Sequence, residues 1–372
     1  MSELFAADRM ERAQLAAAEA GLDALLITPG PDLRYLTGYN APSLERLTCL
    51  VVPVSGPATL ITPVLEMPIA QASPAAELGM SIVAWPESAD PFELVATTLV
   101  ERLGRSPRRV GLANQMWADQ VMALREALPG VGQALAGTVM NELRIRKSVE
   151  EIAALRGAAA AIDRVHAQMG QWLRAGRTEK QVADDVSAAI VAQGHAVSSF
   201  VIVASGPNAA SPHHEISSRV IEPGDVVVVD IGGVMPDGYC SDSSRTYAVG
   251  SAPKDFLAYY EVLLAAQEAG VASVRPGVSA ESVDAQCREL ITAADFGDFF
   301  IHRTGHGIGL QTHEEPYIVG GNKRPLEPGM VFSVEPGIYF PGQHGARIED
   351  IVVCTDEGVE RLNRQPRELV IV

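Results

Sequence analysis

GDVVVVDIGGVMPDGYCSDSSRTY, residues 224–247, decides how this chain is read. Val226–Val229 form the uninterrupted apolar run that a buried strand requires, and Asp230 is the first charge after it. A carboxylate at the inner end of such a strand is costly unless it is paired or bound to a metal. A lone aspartate there is most often a surface turn. Here Asp242 follows twelve residues later among strand-prone neighbours, with MPDG (235–238) between the two. The spacing predicts a hairpin across which Asp230 and Asp242 face each other.

Three later segments carry the remaining polar chemistry. HRTGHGIGLQTHEEP (302–316) places His302, His306 and His313 within twelve positions, and glycines flank His306. Those glycines allow close backbone approach and discourage helix. In SVEPGIYF (333–340), Glu335 interrupts an apolar strand just before Pro336-Gly337. In GARIEDIVV (345–353), alternation puts Arg347, Glu349 and Ile351 on one strand face and Ile348 and Asp350 on the other. The plain structural alternative for that strand is a buried Arg347–Glu349 pair.

Together, Asp230, Asp242, His306, Glu335 and Glu349 offer four carboxylates and one imidazole. Groups of this kind on rigid strands or glycine-tight loops suit two divalent cations, whose charge the four carboxylates match. Such a pair of ions can bring the pKa of a shared water near neutrality and polarise a carbonyl. The donor set is rich in oxygen, holds a single nitrogen and has no sulfur. It favours Mn²⁺ first, then Co²⁺ or Fe²⁺, over a thiolate-type zinc site, with Zn²⁺ the remaining alternative.

Around these motifs the chain reads as two domains, 1–137 and 138–372. Asp8–Ala20 is a helix pattern, followed by strand-like Leu22–Thr28, Leu47–Val54 and Ala58–Pro63, SIVAW, the helix PFELVATTLVERLG and RVGLA. This alternation predicts an α/β layer domain with a mixed sheet and no glycine-rich phosphate loop. Ser148 with Glu151 forms a capping box that opens a long helix through Trp172. Thr178 with Gln181 opens another, which Gly194 ends, and Ser279 starts a third. With the strand-like runs FVIVAS, DVVVVDIGG, FSVEPGIYF and ARIEDIVVCT between them, the second domain is expected to be α+β. The net charge of −17 argues against nucleic acid or an anionic membrane as partner. The four cysteines, none in a CxxC pair, argue against structural zinc or a disulfide framework. The N-terminal stretch lacks an apolar signal region, so a cytoplasmic protein is expected.

In order and spacing, VVVVDIGG with SDSSRT, GHGIGL with HEEP, VEPGIYF and RIED resemble the motifs of the Xaa-Pro peptidases. These are prolidase and aminopeptidase P, which share the creatinase or "pita-bread" catalytic fold. SGPNAASPHH (205–214) resembles that family's substrate-side histidine motif, and PDLRYLTGYN (31–40) its smaller N-domain. One departure is the Asp230–Asp242 loop, which is a residue longer than in many members. The resemblance implies hydrolysis of the bond before proline by a hydroxide held between two metals, in a homodimer. Asp242 and Glu349 would bridge the metals, Asp230 would complete one, and His306 and Glu335 the other. Glu335 would also handle the proton. His213, His302 and His313 would line the substrate side, with His213 and His313 touching substrate, and Arg347 would orient acidic ligands from behind. His214 would be a neighbour and not a ligand.

The implied function is an Xaa-Pro dipeptidase, with an aminopeptidase P acting on longer peptides as the alternative. A dipeptidase needs a cation for the free carboxylate, and Arg46, in YLTGYNAPSLERLT, is the candidate. A metal-free creatinase-like amidinohydrolase or a noncatalytic module would have lost several of the five ligands. All five are present.

Overall fold

The computed structural model describes residues 4–5 and 8–372; the rest of the N-terminal stretch lies outside the described residues. The chain forms two compact units, Met1–Arg144 and Ile145–Val372.

The first unit is an α/β layer. Its strands are β1 (Ala24–Ile27), β2 (Cys49–Pro53), β3 (Thr59–Pro63), β4 (Ser81–Trp85), β5 (Arg109–Leu112) and β6 (Gly132–Leu135). Its helices are α1 (Asp8–Glu19), α2 (Pro31–Thr37), α3 (Met67–Gln71), α4 (Pro91–Leu103), α5 (Ala118–Ala127) and α6 (Gly137–Arg144). The six-stranded sheet runs β4-β3-β2-β1-β5-β6 and is mixed: β1–β2 and β2–β3 are antiparallel, the other pairs parallel. Leu26, Val51, Ile61 and Val110 pack against Val95 and Leu99 of α4 and Leu124 of α5. The expected division at Thr138 falls inside α6. That helix packs on α1 of the same unit, so the division comes after Arg144.

The second unit packs helix pairs against its sheets. Its helices are α7 (Val149–His166), α8 (Glu179–Ala192), α9 (Lys254–Ser273) and α10 (Ala280–Ala293). Both anticipated capping boxes form, Ser148 with Glu151 and Thr178 with Gln181. The first helix, however, ends at His166 and not Trp172, and passes into a short 3₁₀ turn at Met169–Gln171. There the Ala167 N–H divides its hydrogen bond between two carbonyls, which tightens the end. Helix α9 was not anticipated at all.

The first sheet holds β7 (Val197–Ser205), β8 (Val226–Val234) and β9 (Cys240–Ala248). Then follow β10 (Gly305–Gly307), β11 (Glu314–Ile318), β12 (Val331–Val334), β13 (Gly337–Phe340), β14 (His344–Arg347), β15 (Asp350–Cys354), β16 (Val359–Arg361) and β17 (Val370–Ile371). They form sheets of order β17-β9-β8-β7 and β11-β10-β12-β15-β16, and the ribbon β13-β14. Val227, Val229 and Ile231 join the core under α7 and α8. Phe332, Val334, Val352 and Cys354 join the core under α9 and α10. FSVEPGIYF and ARIEDIVVCT are each two strands and not one. Pro336 offers no N–H to a ladder, and Ile348–Glu349 leave β14 to run beside β9.

Candidate metal centre

Alternation along β8 sends Val227, Val229 and Ile231 to the helices, so Asp230 and Gly232 face away from them. Asp242 stands opposite Gly232, and Asp230 opposite Ser244. The two aspartates are therefore diagonal neighbours on one face of the hairpin. His306 lies on β10, held between β11 and β12. A Cβ on Gly305 would meet the Ser333 carbonyl oxygen at 1.9 Å, and one on Gly307 the Glu315 carbonyl oxygen at 2.2 Å. Only glycine lets this strand enter. Glu335 follows β12, its N–H donating to Thr304 O at 2.8 Å, and Glu349 donates its N–H to Ser244 O at 3.1 Å.

These elements bring all five expected ligands together. Ligand atoms of Asp230, Asp242 and Glu349 lie within 4.8 Å of one another, as do those of His306, Glu335 and Glu349. Asp242, His306 and His313 form a third such group. Asp242, Glu349 and His306 each belong to two groups; of the three, only the carboxylates carry two oxygens with which to bridge.

The electrostatics fit cations. Asp242, Glu349 and His306 are almost fully buried. Asp230 Oδ1 and Glu349 Oε1 are buried without a hydrogen-bond partner, an expensive state for a carboxylate oxygen unless a cation meets it. Burial first, then the charges of neighbouring carboxylates, hold the Asp242 and Glu349 carboxyls well above the usual range. His306 donates from Nδ1 to Gly307 O (3.1 Å), which aims Nε2 at Glu335 Oε1 (3.1 Å) and Asp242 Oδ2 (3.7 Å). Burial opposes charge on that ring, but Glu335 and Asp242 overcome it and raise the imidazole pKa. Without a metal, Nε2 must carry a proton to face these oxygens; a divalent ion takes that proton's place. Burial likewise opposes ionisation of Glu335. The bond and charge of His306, with His302 and Arg347, bring it down to about 2.

Arg347 stands behind the ligands. It is buried and donates from Nη2 to Asp230 Oδ2, from Nε to Ser244 Oγ (2.8 Å), and from Nη1 to the Tyr339 hydroxyl (3.0 Å) and Pro212 O (3.1 Å). It pairs with Asp230 and not with Glu349.

The other histidines divide. His313 sets its ring edge-to-face on His306, centroids 4.0 Å apart. Although His313 is exposed on one side, the partial burial of its ring, then His306 and Arg303, push its pKa down to about 4, which keeps the imidazole neutral. His213 is exposed. His302 has both nitrogens engaged: Nδ1 donates to Arg303 O (2.7 Å), and Nε2 accepts from the Tyr339 hydroxyl (3.0 Å). That geometry makes it a support for Tyr339. Arg46 lies in the first unit and pairs with Glu45 and Glu87, both at 2.8 Å.

Sequence reading missed Glu179. Fully buried at the start of α8, it accepts hydrogen bonds from Ser205 N and Oγ (both 2.7 Å), Asn208 Nδ2 (3.0 Å), His214 Nε2 (2.9 Å) and Ser217 Oγ (2.5 Å). One carboxylate thus gathers the loop that carries His213. Its only sequence signal was the capping box it sits in, which explains a helix start and nothing more. His214 is part of this anchor.

Residues 153–356 match the profile of metallopeptidase family M24, and residues 9–146 that of the creatinase/prolidase N-terminal domain. The probable dipeptidase PepE of Mycobacterium tuberculosis is 50% identical over 366 residues, spanning 98% of this chain and 96% of that protein. The Xaa-Pro dipeptidase of Lactobacillus helveticus is 35% identical, spanning 91% of this chain and 92% of the relative. The crystal structure of dipeptidase PepE from Mycobacterium ulcerans matches with a TM-score of 0.93 at 49% identity, covering 100% of this chain and 98% of that one.

Proposed function

The chain belongs to metallopeptidase family M24, and from that premise we propose that it is a dinuclear metal-dependent Xaa-Pro dipeptidase. The observation that carries the reading is the convergence of four carboxylates and His306, with one oxygen each of Asp230 and Glu349 left bare in the protein interior. The likeness to an Xaa-Pro dipeptidase over most of both chains supports the substrate class.

Asp230, Asp242 and Glu349 would hold one ion, and His306, Glu335 and Glu349 the other, with Asp242 reaching across to the His306 side. Bound there, two divalent ions would supply activated water and polarise the scissile carbonyl. Glu335, within 3.1 Å of His306 at the end of β12, would accept the proton and later return it to the leaving proline nitrogen. His313, neutral and beside His306, and the exposed His213 would face the peptide and stabilise charge developing on the carbonyl oxygen. Arg347 would hold Asp230 in the orientation that presents its free oxygen. The oxygen-rich donor set favours Mn²⁺, with Co²⁺, Fe²⁺ and Zn²⁺ as alternatives. A cytoplasmic homodimer completes the reading, and gel filtration with light scattering tests the assembly. Among the described residues no helix is long and apolar enough to cross a membrane.

The test is the Mn²⁺-reconstituted protein on Xaa-Pro dipeptides beside Xaa-Pro-Yaa tripeptides. Dipeptide hydrolysis is expected to dominate. Faster cleavage of the tripeptides would make the protein an aminopeptidase P, and inactivity on both would remove the Xaa-Pro reading.

A further inference from the structure

A pair of metals can open an amide but cannot tell a dipeptide from a longer chain. That distinction needs a cation where the free carboxylate ends. Most arginines of the second unit near the centre are already committed: Arg347 to Asp230, Arg245 to Asp350 and Arg288 to Asp284. Arg46, the sequence's candidate, is committed to Glu45 and Glu87.

Arg303 is not. Among the described residues no carboxylate pairs with it; its guanidinium carbon lies 4.4 Å from the centre of the Tyr317 ring. Tyr317 is the cross-strand partner of His306 between β10 and β11. Directly opposed residues of an antiparallel pair project to the same side of the sheet, so Tyr317 shares the ligand-bearing side with His306. Arg303 is half-buried, and its charge is felt at His313. Stacking occupies the face of a guanidinium and leaves the N–H donors at its rim for a planar, bidentate partner.

Resting on the Xaa-Pro dipeptidase reading, we propose that Arg303, laid over Tyr317, receives the C-terminal carboxylate of the dipeptide and so sets the length preference of the enzyme. The Tyr317 ring beneath the guanidinium limits how far it can swing, and His313, whose ring packs on that of His306, feels its charge. The carboxylate would then be read where proline is the last residue of the substrate.

The experiment compares an Xaa-Pro dipeptide with the same dipeptide amidated at its C-terminus, on metal-loaded wild type, Arg303→Met and Arg303→Lys, with metal content measured in each. Methionine keeps an apolar arm over Tyr317 without charge; lysine keeps the charge without the fork. Arg303→Met is expected to lose roughly 10- to 100-fold more kcat/KM on the acid than on the amide, chiefly through KM. Arg303→Lys is expected to fall between it and the wild type. Should Arg303→Met not fold, the lysine variant must still shift the acid-to-amide ratio. Equal losses on both substrates, or no loss on the acid, overturn the assignment while leaving the dipeptidase reading in place. A wild type inactive on every Xaa-Pro substrate overturns that reading and this assignment with it.

Discussion

Arg347 donates to one oxygen of Asp230 while the other oxygen of the same carboxylate is buried with no hydrogen-bond partner. The arginine fixes the carboxylate and offsets part of its charge, and the bare oxygen marks where a cation belongs. Replacing Arg347 with Lys keeps a charge but not the fork that also reaches Ser244 and Tyr339. Arg347→Lys is expected to weaken metal binding by roughly 10- to 100-fold. Calorimetric Mn²⁺ titration checks this, and an unchanged affinity would remove Arg347 from the support of the centre.

Asp242 belongs to both the Asp230 and the His306 groups. Asp242→Ala is therefore expected to lose both metals together, whereas Asp230→Ala should lose one. Elemental analysis after reconstitution decides. An Asp242→Ala protein that keeps its full metal content contradicts the bridge.

His213 and His313 are both exposed, and His313 also packs its ring on His306. Alanine at either position is expected to retain metal and lower kcat and kcat/KM together by about 10²-fold or more. Because His313 groups with Asp242 and His306, its variant carries the sharper risk. Metal loss there would make it a ligand.

Glu179 holds the loop of His213 through five donor groups from four residues. Removing a buried acceptor costs about 1–3 kcal/mol for each donor left unsatisfied. Glu179→Ala is expected to unfold earlier and lose activity, while Glu179→Gln, which keeps one acceptor oxygen, regains much of the stability. The reading for positioning is turnover at full metal occupancy. If Glu179→Gln regains stability but kcat/KM still falls, the carboxylate positions His213; full recovery of both would make it a structural anchor only.

His166 gives a pH signature outside the five-ligand cluster. Its Nε2 donates to Ser243 O (3.2 Å) and its Nδ1 accepts from the Tyr247 hydroxyl (2.9 Å). Burial first, then the charge of Arg245, push its pKa down to about 3 from an ordinary 6.5. The folded protein keeps the ring neutral where the unfolded chain would protonate it. This contribution is therefore intact above pH 6.5 and is lost as pH falls from there towards 3. The slope is up to about 1.4 kcal/mol per pH unit. His166→Gln is expected to be less stable at neutral pH but to lose less on acidification. Urea melts at a series of pH values check it; parallel curves would show that His166 does not titrate on unfolding.

By itself the sequence determined what is local. The valine run and the twelve-residue spacing set the β8–β9 hairpin and put Asp230 and Asp242 on one face, because a strand alternates sides every residue. Gly305 and Gly307 announced a segment of close backbone approach, though not that it would be a strand. Two capping boxes marked helix starts to the residue. The tertiary structure decided which distant groups meet. Arg347 chose Asp230, 117 residues away, over Glu349 two residues along, because the chain leaves β14 before Glu349 and turns the two side chains to different partners. Glu179 gathers a loop up to 38 residues downstream, and Arg303 finds Tyr317 across a bend. Periodicity and capping act over a turn of helix or a pair of strand residues. Pairing of charges across a core depends on the path of the whole chain, and no local pattern encodes that path.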